Sequence, residues 1–185
     1  MSLVAILDAS VLYPLPLRDT LLRVADIGLY DPRWSEQILQ EVAHNLIANQ
    51  RATDAQAARL LDAMRDAFDE ATVPLDAITR LKTAMTNHPK DRHVLAAAVA
   101  CEAKAVVTLN VRHFPIDACE PFAIEPMHPD AFLLDFYGLD PQQTYQVVER
   151  QAAALSRPPM TVDELLDRLA TNVPRFAGAL RAHQP

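Results

Sequence analysis

The sequence predicts an α/β fold in which helices flank a central parallel sheet. Two short apolar runs, 3–7 and 105–109, have the length and β-branched content of buried strands, and a polar residue follows each of them. Helical patterns fill most of the chain between these runs, and the 185 residues contain only three glycines and few hairpin signals. Strands that alternate with helices favour a parallel sheet.

Apolar residues at helical spacing predict a series of helices. The segment 92–105 is almost wholly small and apolar, so we expect it to be central and tightly packed. From about Met127 onward the pattern is helical only, which predicts a domain over 1–126 and a helical extension over 127–185. The predicted helices cover 17–30, 35–46, 53–71, 76–81, 92–105, 128–136, 140–155 and a segment that starts at Thr161.

Local signals set some boundaries of these elements. Residues 30–32 are interpreted as a break, and 33–34 as a short extended segment. Ser35 is a predicted N-cap, although Ile38 stands where a full capping box would have Glu or Gln. Residues 87–91 predict a turn before the central helix.

Composition and charge exclude several classes of protein. The formal charge is −7, from 17 basic and 24 acidic residues, which argues against metal-free nucleic-acid binding through positive charge alone. No apolar run approaches the roughly 20 residues of a membrane span, and no secretory signal is visible, so we expect a cytoplasmic protein without membrane contact. Cys101 and Cys119 predict neither a disulfide nor a zinc site.

Polar residues at comparable structural positions are the candidate site. Asp8 ends the first strand, Glu41 lies on an early helix, Asp91 precedes the central helix and Asn110 ends the later strand. Ligands of open α/β sheets bind beyond the carboxyl ends of the strands. If the two strands are neighbours, these residues converge, and crowded carboxylates need a cation such as Mg²⁺ or Mn²⁺.

Each residue also has a simpler interpretation. Asp8 and Asp91 could be helix N-caps, Glu41 could be a solvated helix residue, and Asn110 could form a turn. Trp34 and Tyr13 could stack on nucleic-acid bases, but a large aromatic among apolar neighbours is usually core, which leaves Tyr13 as the better surface candidate.

Three segments resemble the PIN-domain family, and most of all its bacterial branch related to the VapC toxins. They are LDASVLYP, SEQILQEVAHNL and HPKDRHVLAAAVACEAKAVVTLNVRHFP, and the last is the most distinctive. The resemblance covers about 3–126, and the helical tail is similar to an extension found in part of this branch. It implies a three-layer α/β/α fold and a Mg²⁺- or Mn²⁺-dependent ribonuclease that selects single strands.

The resemblance also implies roles for individual residues. Asp8, Glu41 and Asp91 match the metal-binding acids, while Thr108 and Asn110 match the pair at the strand end that helps hold the site together. Asn110 stands where many relatives have Asp, and His113 where related chains often have an acid, so we expect one metal rather than two. Candidate substrate contacts are Thr108, Arg92, Arg112 and His113; Arg92 could instead pair with a helix carboxylate, and His93 could be a satisfied core group.

Two other classes of α/β protein require motifs that this sequence lacks. A dehalogenase-like phosphatase needs a second Asp where Ser10 stands, and the isolated glycines form no phosphate-binding loop. The remaining alternative is a degenerate PIN fold that binds RNA or protein without turnover. The resemblance to the toxin branch implies RNA as substrate, a cognate antitoxin of a type II toxin–antitoxin pair as partner, and a homodimer. The amphipathic tail is expected to pack on its own domain.

Overall fold

The computed structural model describes residues 3–156 and 158–183, and these form a parallel sheet flanked by helices. The sheet has the order β3-β2-β1-β4-β5, and every neighbouring pair is parallel. The predicted α/β fold class is therefore confirmed. The strands are β1 (Leu3–Leu7), β2 (Tyr30–Ser35), β3 (Thr72–Val73), β4 (Ala105–Val107) and β5 (Glu125–Met127).

Helices connect the strands and continue after the last of them. The first group is α1 (Ala9–Leu12), α2 (Leu15–Asp26), α3 (Glu36–Ala48), α4 (Asp54–Ala67), α5 (Leu75–Lys82), α6 (Arg92–Ala100) and α7 (Ile116–Cys119). The second group follows β5 and comprises α8 (Pro129–Leu139), α9 (Pro141–Ala154), α10 (Val162–Leu169) and α11 (Pro174–His183). Within the described ranges, no helix is both long and apolar enough to cross a membrane.

The core lies between the sheet and its helices. As expected, α6 is central: its residues 93–98 are all buried, because its run of alanines allows close approach to the sheet. Trp34 is fully buried and meets Phe68 edge-on, with ring centroids 5.9 Å apart. This position assigns Trp34 to the core rather than to base stacking.

Two sequence predictions about β2 and α4 were wrong. Residues 30–32 belong to β2, and Pro32 pairs with Ala5 of β1 at a level that β3 does not reach. The missing N–H of this proline can therefore face the unpaired side of the strand. The helix predicted over 53–71 ends at Ala67, because the chain then turns so that Ala71 accepts a hydrogen bond from the Trp34 N–H and leads into β3.

The helices after β5 pack on the rest of the chain, as expected for the tail. Tyr30 of β2 lies between Phe132 and Phe136 of α8, with ring centroids 4.9 and 5.6 Å away. On α9, Gln151 accepts a 2.7 Å hydrogen bond from the Thr20 hydroxyl of α2, and both side chains are buried. An apolar core and a buried polar contact thus join the extension to the sheet domain.

Candidate active site

Asp8 lies where the strand order of the sheet reverses. β1 pairs with β2 on one side and with β4 on the other, and Leu7 is level with Val107. The Asp8 N–H donates to the Val107 carbonyl at 3.1 Å, which places Asp8 beside Thr108 just beyond both strands. Such a reversal point is the usual ligand-binding crevice of open α/β sheets. The strands are neighbours, as the convergence of the candidate residues requires.

Two hydroxyl groups hold the Asp8 carboxylate. Ser10 Oγ donates to Asp8 Oδ2 at 2.6 Å, and Thr108 Oγ1 donates to the same oxygen at 2.7 Å. Each hydroxyl in turn accepts a backbone N–H, from Leu109 onto Ser10 and from Asn110 onto Thr108, both at 3.0 Å. The orientation of this carboxylate is therefore fixed from two segments about 100 residues apart.

The N-cap interpretation of Asp8 is wrong for its side chain. Asp8 occupies the cap position of α1, but its carboxylate bonds the Ser10 and Thr108 hydroxyls and makes no capping hydrogen bond to α1 in the described part of the chain. This role of Ser10 was not predicted from the sequence. Ser10 was considered only because a dehalogenase-like phosphatase would have an aspartate at that position. A hydroxyl two residues beyond an acid at a strand end is the signal, because short polar side chains commonly bond nearby groups.

Burial makes Asp8 an unfavourable place for an uncompensated charge. The side chain is only 5% exposed, and this desolvation is the largest influence that raises its pKa. The negative charge of Asp91 raises the pKa further, whereas the hydrogen bonds from Ser10 and Thr108 oppose the rise. The net pKa is raised, and a cation beside the carboxylate would relieve this strain.

Asp91 stands at the cap position of α6, yet its carboxylate also has other partners. Asp91 Oδ2 lies 2.7 Å from His113 Nδ1 and 3.6 Å from His88 Nδ1, and no cap bond from its side chain to α6 is found in the described part of the chain. The interpretation of Asp91 as a plain helix cap is thus wrong. The contact with His113, 22 positions away, was not predicted.

Glu41 lies on α3 and is half-buried. Its Oε1 accepts a hydrogen bond from Gln37 at 3.2 Å and lies 3.1 Å from His93 Nε2, although outside ideal hydrogen-bonding angles. Burial raises the pKa of Glu41, but His93, Gln37 and the charge of Lys82 outweigh it, so the net pKa is lowered. Glu41 is therefore a held carboxylate rather than a freely solvated one.

His93 and Arg92 differ from their simpler interpretations. His93 is 1% exposed, and within 3–156 and 158–183 its Nδ1 has no hydrogen-bond partner, so it is not a fully satisfied core histidine. Arg92 Nε donates to the Asn87 carbonyl at 3.4 Å, and no ion pair of Arg92 with a described carboxylate is present.

The other predicted contacts occupy different environments. Thr108 is fully buried with its hydroxyl on Asp8, so substrate contact by Thr108 is not compatible with this position and a positioning role fits better. Arg112 is exposed, and Asn110 precedes the short 3₁₀ turn that carries Arg112 and His113. Tyr13 is half-buried and lines a groove of about 590 Å³ together with Arg18.

Glu41 and Asp91 open onto the same cleft. It has a volume of about 710 Å³, and Lys90 is its one lysine or arginine among the described residues that line it. The structure thus brings Glu41 and Asp91 to one surface, with Asp8 close enough to feel the charge of Asp91. Carboxylates are the ligands that Mg²⁺ and Mn²⁺ prefer, but in the described part of the chain the ligand oxygens of Asp8, Glu41 and Asp91 do not all lie within 4.8 Å of one another. The other residues that line the cleft are Gln37, Gln40, His44 and Asn45.

Comparison with known proteins gives two matches. A curated protein of Mycobacterium tuberculosis (strain ATCC 25618 / H37Rv), named "Putative ribonuclease VapC50", is 48% identical over 101 residues, which are 55% of this chain. The match spans 60% of the length of that relative. The sequence model of the VapC50 C-terminal domain matches residues 129–182, while no solved structure matches significantly. These matches make the chain similar to VapC50-type proteins, and with the parallel sheet they support a relationship to the VapC-related PIN-domain family.

Proposed function

We propose that this protein is a metal-dependent endoribonuclease and the toxin of a type II toxin–antitoxin pair, acting on RNA in the cytoplasm. The observation that carries the proposal is the buried Asp8 carboxylate, held by two hydroxyls at the reversal point of the sheet with its pKa raised. A relative that is 48% identical bears the name of a ribonuclease, which supports the same chemistry.

Asp8, Glu41 and Asp91 are the residues that would hold Mg²⁺ or Mn²⁺. Such a cation, when bound, supplies Lewis-acid polarisation of a phosphodiester and neutralises charge that develops during hydrolysis. Glu41 is suited to this role because His93 and Gln37 restrict its carboxylate and favour the ionised form. Asp8 is suited because its geometry is fixed before any ligand arrives.

The remaining residues of the site position these acids or face the substrate. Thr108 and Ser10 orient Asp8, and Asn110 orients the Thr108 hydroxyl through its backbone N–H. Lys90 in the cleft and the exposed Arg112 are the cations we propose for RNA phosphates, with Arg92 as a further candidate. A few local cations suffice here, since the acidic site itself would bind through a metal rather than through overall positive charge.

The chain organisation that we propose has a nuclease domain over 1–126 and a helical extension over 127–185. The separate family match over 129–182 supports this division. A cognate antitoxin is the proposed protein partner, and a homodimer is the proposed assembly. The resemblance to VapC toxins supports both, and light scattering of the purified protein with and without a co-expressed neighbour tests them.

A degenerate PIN fold that binds RNA or protein without cleavage is the second candidate. The neutral Asn110 at the strand end favours it, as does the engagement of Asp91 with His113. The two candidates differ in one property, because only a nuclease has a metal-dependent cleavage activity to lose.

The test is cleavage of a structured and an unstructured RNA with Mg²⁺ or Mn²⁺, compared with chelator. The variant is Asp8→Asn, and Asp76→Asn is the matched control because Asp76 is an exposed acid on α5 whose ion-pair partner among the described residues is Arg80 alone. We expect cleavage that chelator and Asp8→Asn abolish and Asp76→Asn leaves intact. Cleavage that survives Asp8→Asn would contradict the assignment of the site, and RNA binding without cleavage by folded, metal-loaded protein would favour the degenerate fold.

A further inference from the structure

A cluster of two histidines and one aspartate lies at the edge of the proposed acidic site. The ligand atoms of His88, Asp91 and His113 all lie within 4.8 Å of one another. The two imidazoles stack with centroids 4.2 Å apart and planes 15° apart, and both Nδ1 atoms approach Asp91 Oδ2. Their side chains are partly exposed, so a small ion can reach the cluster from solvent.

The backbone already joins the segments that carry these side chains. The His88 N–H donates to the His113 carbonyl at 3.0 Å, and the Asp91 N–H donates to the His88 carbonyl at 2.9 Å. His113 ends a short turn that is closed by its own N–H on the Asn110 carbonyl at 2.8 Å. The three side chains are therefore held near one another by main-chain bonds that do not depend on the protonation of the rings.

The donor set differs from that of a hard-cation site. Two imidazole nitrogens and a carboxylate oxygen suit Zn²⁺, Co²⁺ or other first-row transition ions, whereas Mg²⁺ prefers oxygen ligands only. Bonds of about 2.0–2.1 Å to a tetrahedral ion place neighbouring ligand atoms about 3.3 Å apart. The observed separations of 2.7 and 3.6 Å lie on either side of that value, and because an imidazole lone pair lies in the plane of its ring, the stacked rings must rotate out of their parallel arrangement to share one ion.

We propose that His88, Asp91 and His113 bind a divalent transition metal ion at the edge of the catalytic cleft. The inference deepens the proposed function and rests on it for the role of Asp91. The Asp91 carboxylate has two oxygens, so one can face the histidines and the other the acidic site. Ligation uses the lone pair of each Nδ1, so each bound imidazole carries its proton on Nε2. His88 Nδ1 accepts the Lys90 N–H at 3.4 Å, so the ion must displace this long hydrogen bond when it binds.

The experiment is titration of the full-length protein with Co²⁺ in the absence of RNA, followed by visible absorption and calorimetry. Nitrogen ligation of Co²⁺ gives a d–d spectrum that depends on the ligand set and is independent of nuclease activity. The variants are His88→Gln and His113→Gln, and His44→Gln is the matched control because His44 is an exposed histidine in the same cleft but outside the cluster. Circular dichroism confirms that each variant is folded.

We expect each cluster variant to lose the wild-type spectrum and to weaken Co²⁺ binding by more than the ~10–100-fold that loss of an outer-shell partner costs. His44→Gln should retain both, and Asp8→Asn should retain the histidine-dependent spectrum. Unchanged spectra in both cluster variants would overturn the proposal and leave an ordinary His–Asp ion pair. If Asp8→Asn alone abolishes Co²⁺ binding, the transition-metal inference fails and the acidic nuclease site stands. If RNA is not cleaved but the histidine-dependent spectrum is present, the proposed function fails and the transition-metal inference stands.

Discussion

The contact between Asp130 and the last helix makes a stability prediction whose size follows from the structure. Asp130 is on α8 and is only 6% exposed, and its carboxylate accepts the backbone N–H groups of Phe176 at 2.9 Å and of Arg175 at 3.3 Å. These are N–H groups of the first turn of α11, which lack partners inside the helix. Asp130 therefore caps α11 from a different helix, 45 residues away.

Replacing Asp130 with Ala removes both acceptors. Loss of an N-cap acceptor costs about 0.5–2 kcal/mol, and loss of a negative charge at a helix N-terminus adds about 0.3–1 kcal/mol, so we expect about 2 kcal/mol of destabilisation. For a chain of this length 1 kcal/mol corresponds to roughly 2–4 °C in Tm, which gives a drop of about 4–8 °C. Asp130→Asn keeps one acceptor oxygen and should lose about half as much.

Urea and thermal unfolding of Asp130→Ala, Asp130→Asn and the control Asp135→Ala measure this effect. Asp135 lies on the same helix with an exposed side chain, and its loss should change stability by less than about 0.5 kcal/mol. If Asp130→Ala is no less stable than Asp135→Ala, the cap does not join α8 to α11 and the reasoning is refuted.

Further changes have directions that the contacts determine. The folded pKa of Asp8 is raised above its unfolded value, so the metal-free protein loses stability as the pH rises through the folded pKa. Asp8→Asn should therefore raise Tm at pH 7 in chelator, and this gain should shrink as the pH falls towards 4. Thermal scans across pH measure the change. Saturating Mn²⁺ should raise the wild-type Tm and leave that of Asp8→Asn less changed; at 100 times Kd the stabilisation is about 2.7 kcal/mol. Gln151→Leu removes one acceptor of the buried Thr20 hydroxyl and the donor to the Pro16 carbonyl, but the hydroxyl can still donate to that carbonyl at 2.9 Å, so we expect a loss of about 0.5–1.5 kcal/mol in urea unfolding. Equal stability of Gln151→Leu and wild type would mean that these polar bonds do not join the extension to α2.

Much of the fold could be predicted because its main signals are local. A buried strand such as β1 and an alanine-rich helix such as α6 can be predicted from their own residue composition. β3 and β5 could not be found in this way, since they have two and three residues and take their strand character from pairing with neighbours. The break predicted at Pro32 was wrong for the same reason. Whether a proline interrupts a strand depends on which side of that strand pairs with a neighbour.

The candidate site divides along the same line. Asp8 could be predicted from one strand and the general rule for where α/β sheets bind ligands, and the neighbouring position of β4 then follows from the sheet order. What the sequence could not supply is which oxygen bonds which donor. Glu41 looked like a solvated helix residue because its partner His93 is 52 positions away, and the contact is specified only when α3 and α6 meet the same end of the sheet.

The electrostatics of the site connect these contacts to its proposed chemistry. Burial with Asp91 nearby raises the pKa of Asp8, while His93, Gln37 and Lys82 lower that of Glu41, so two carboxylates of one site are pushed in opposite directions. Glu41 lines the cleft and Asp8 lies near Asp91, which also lines it; carboxylates with perturbed pKa values beside a cleft are typical of functional sites. A neutral residue at position 8 should make the metal-free fold more stable. The presence of an aspartate at this position is therefore better explained by a ligand that it binds than by a contribution to folding stability.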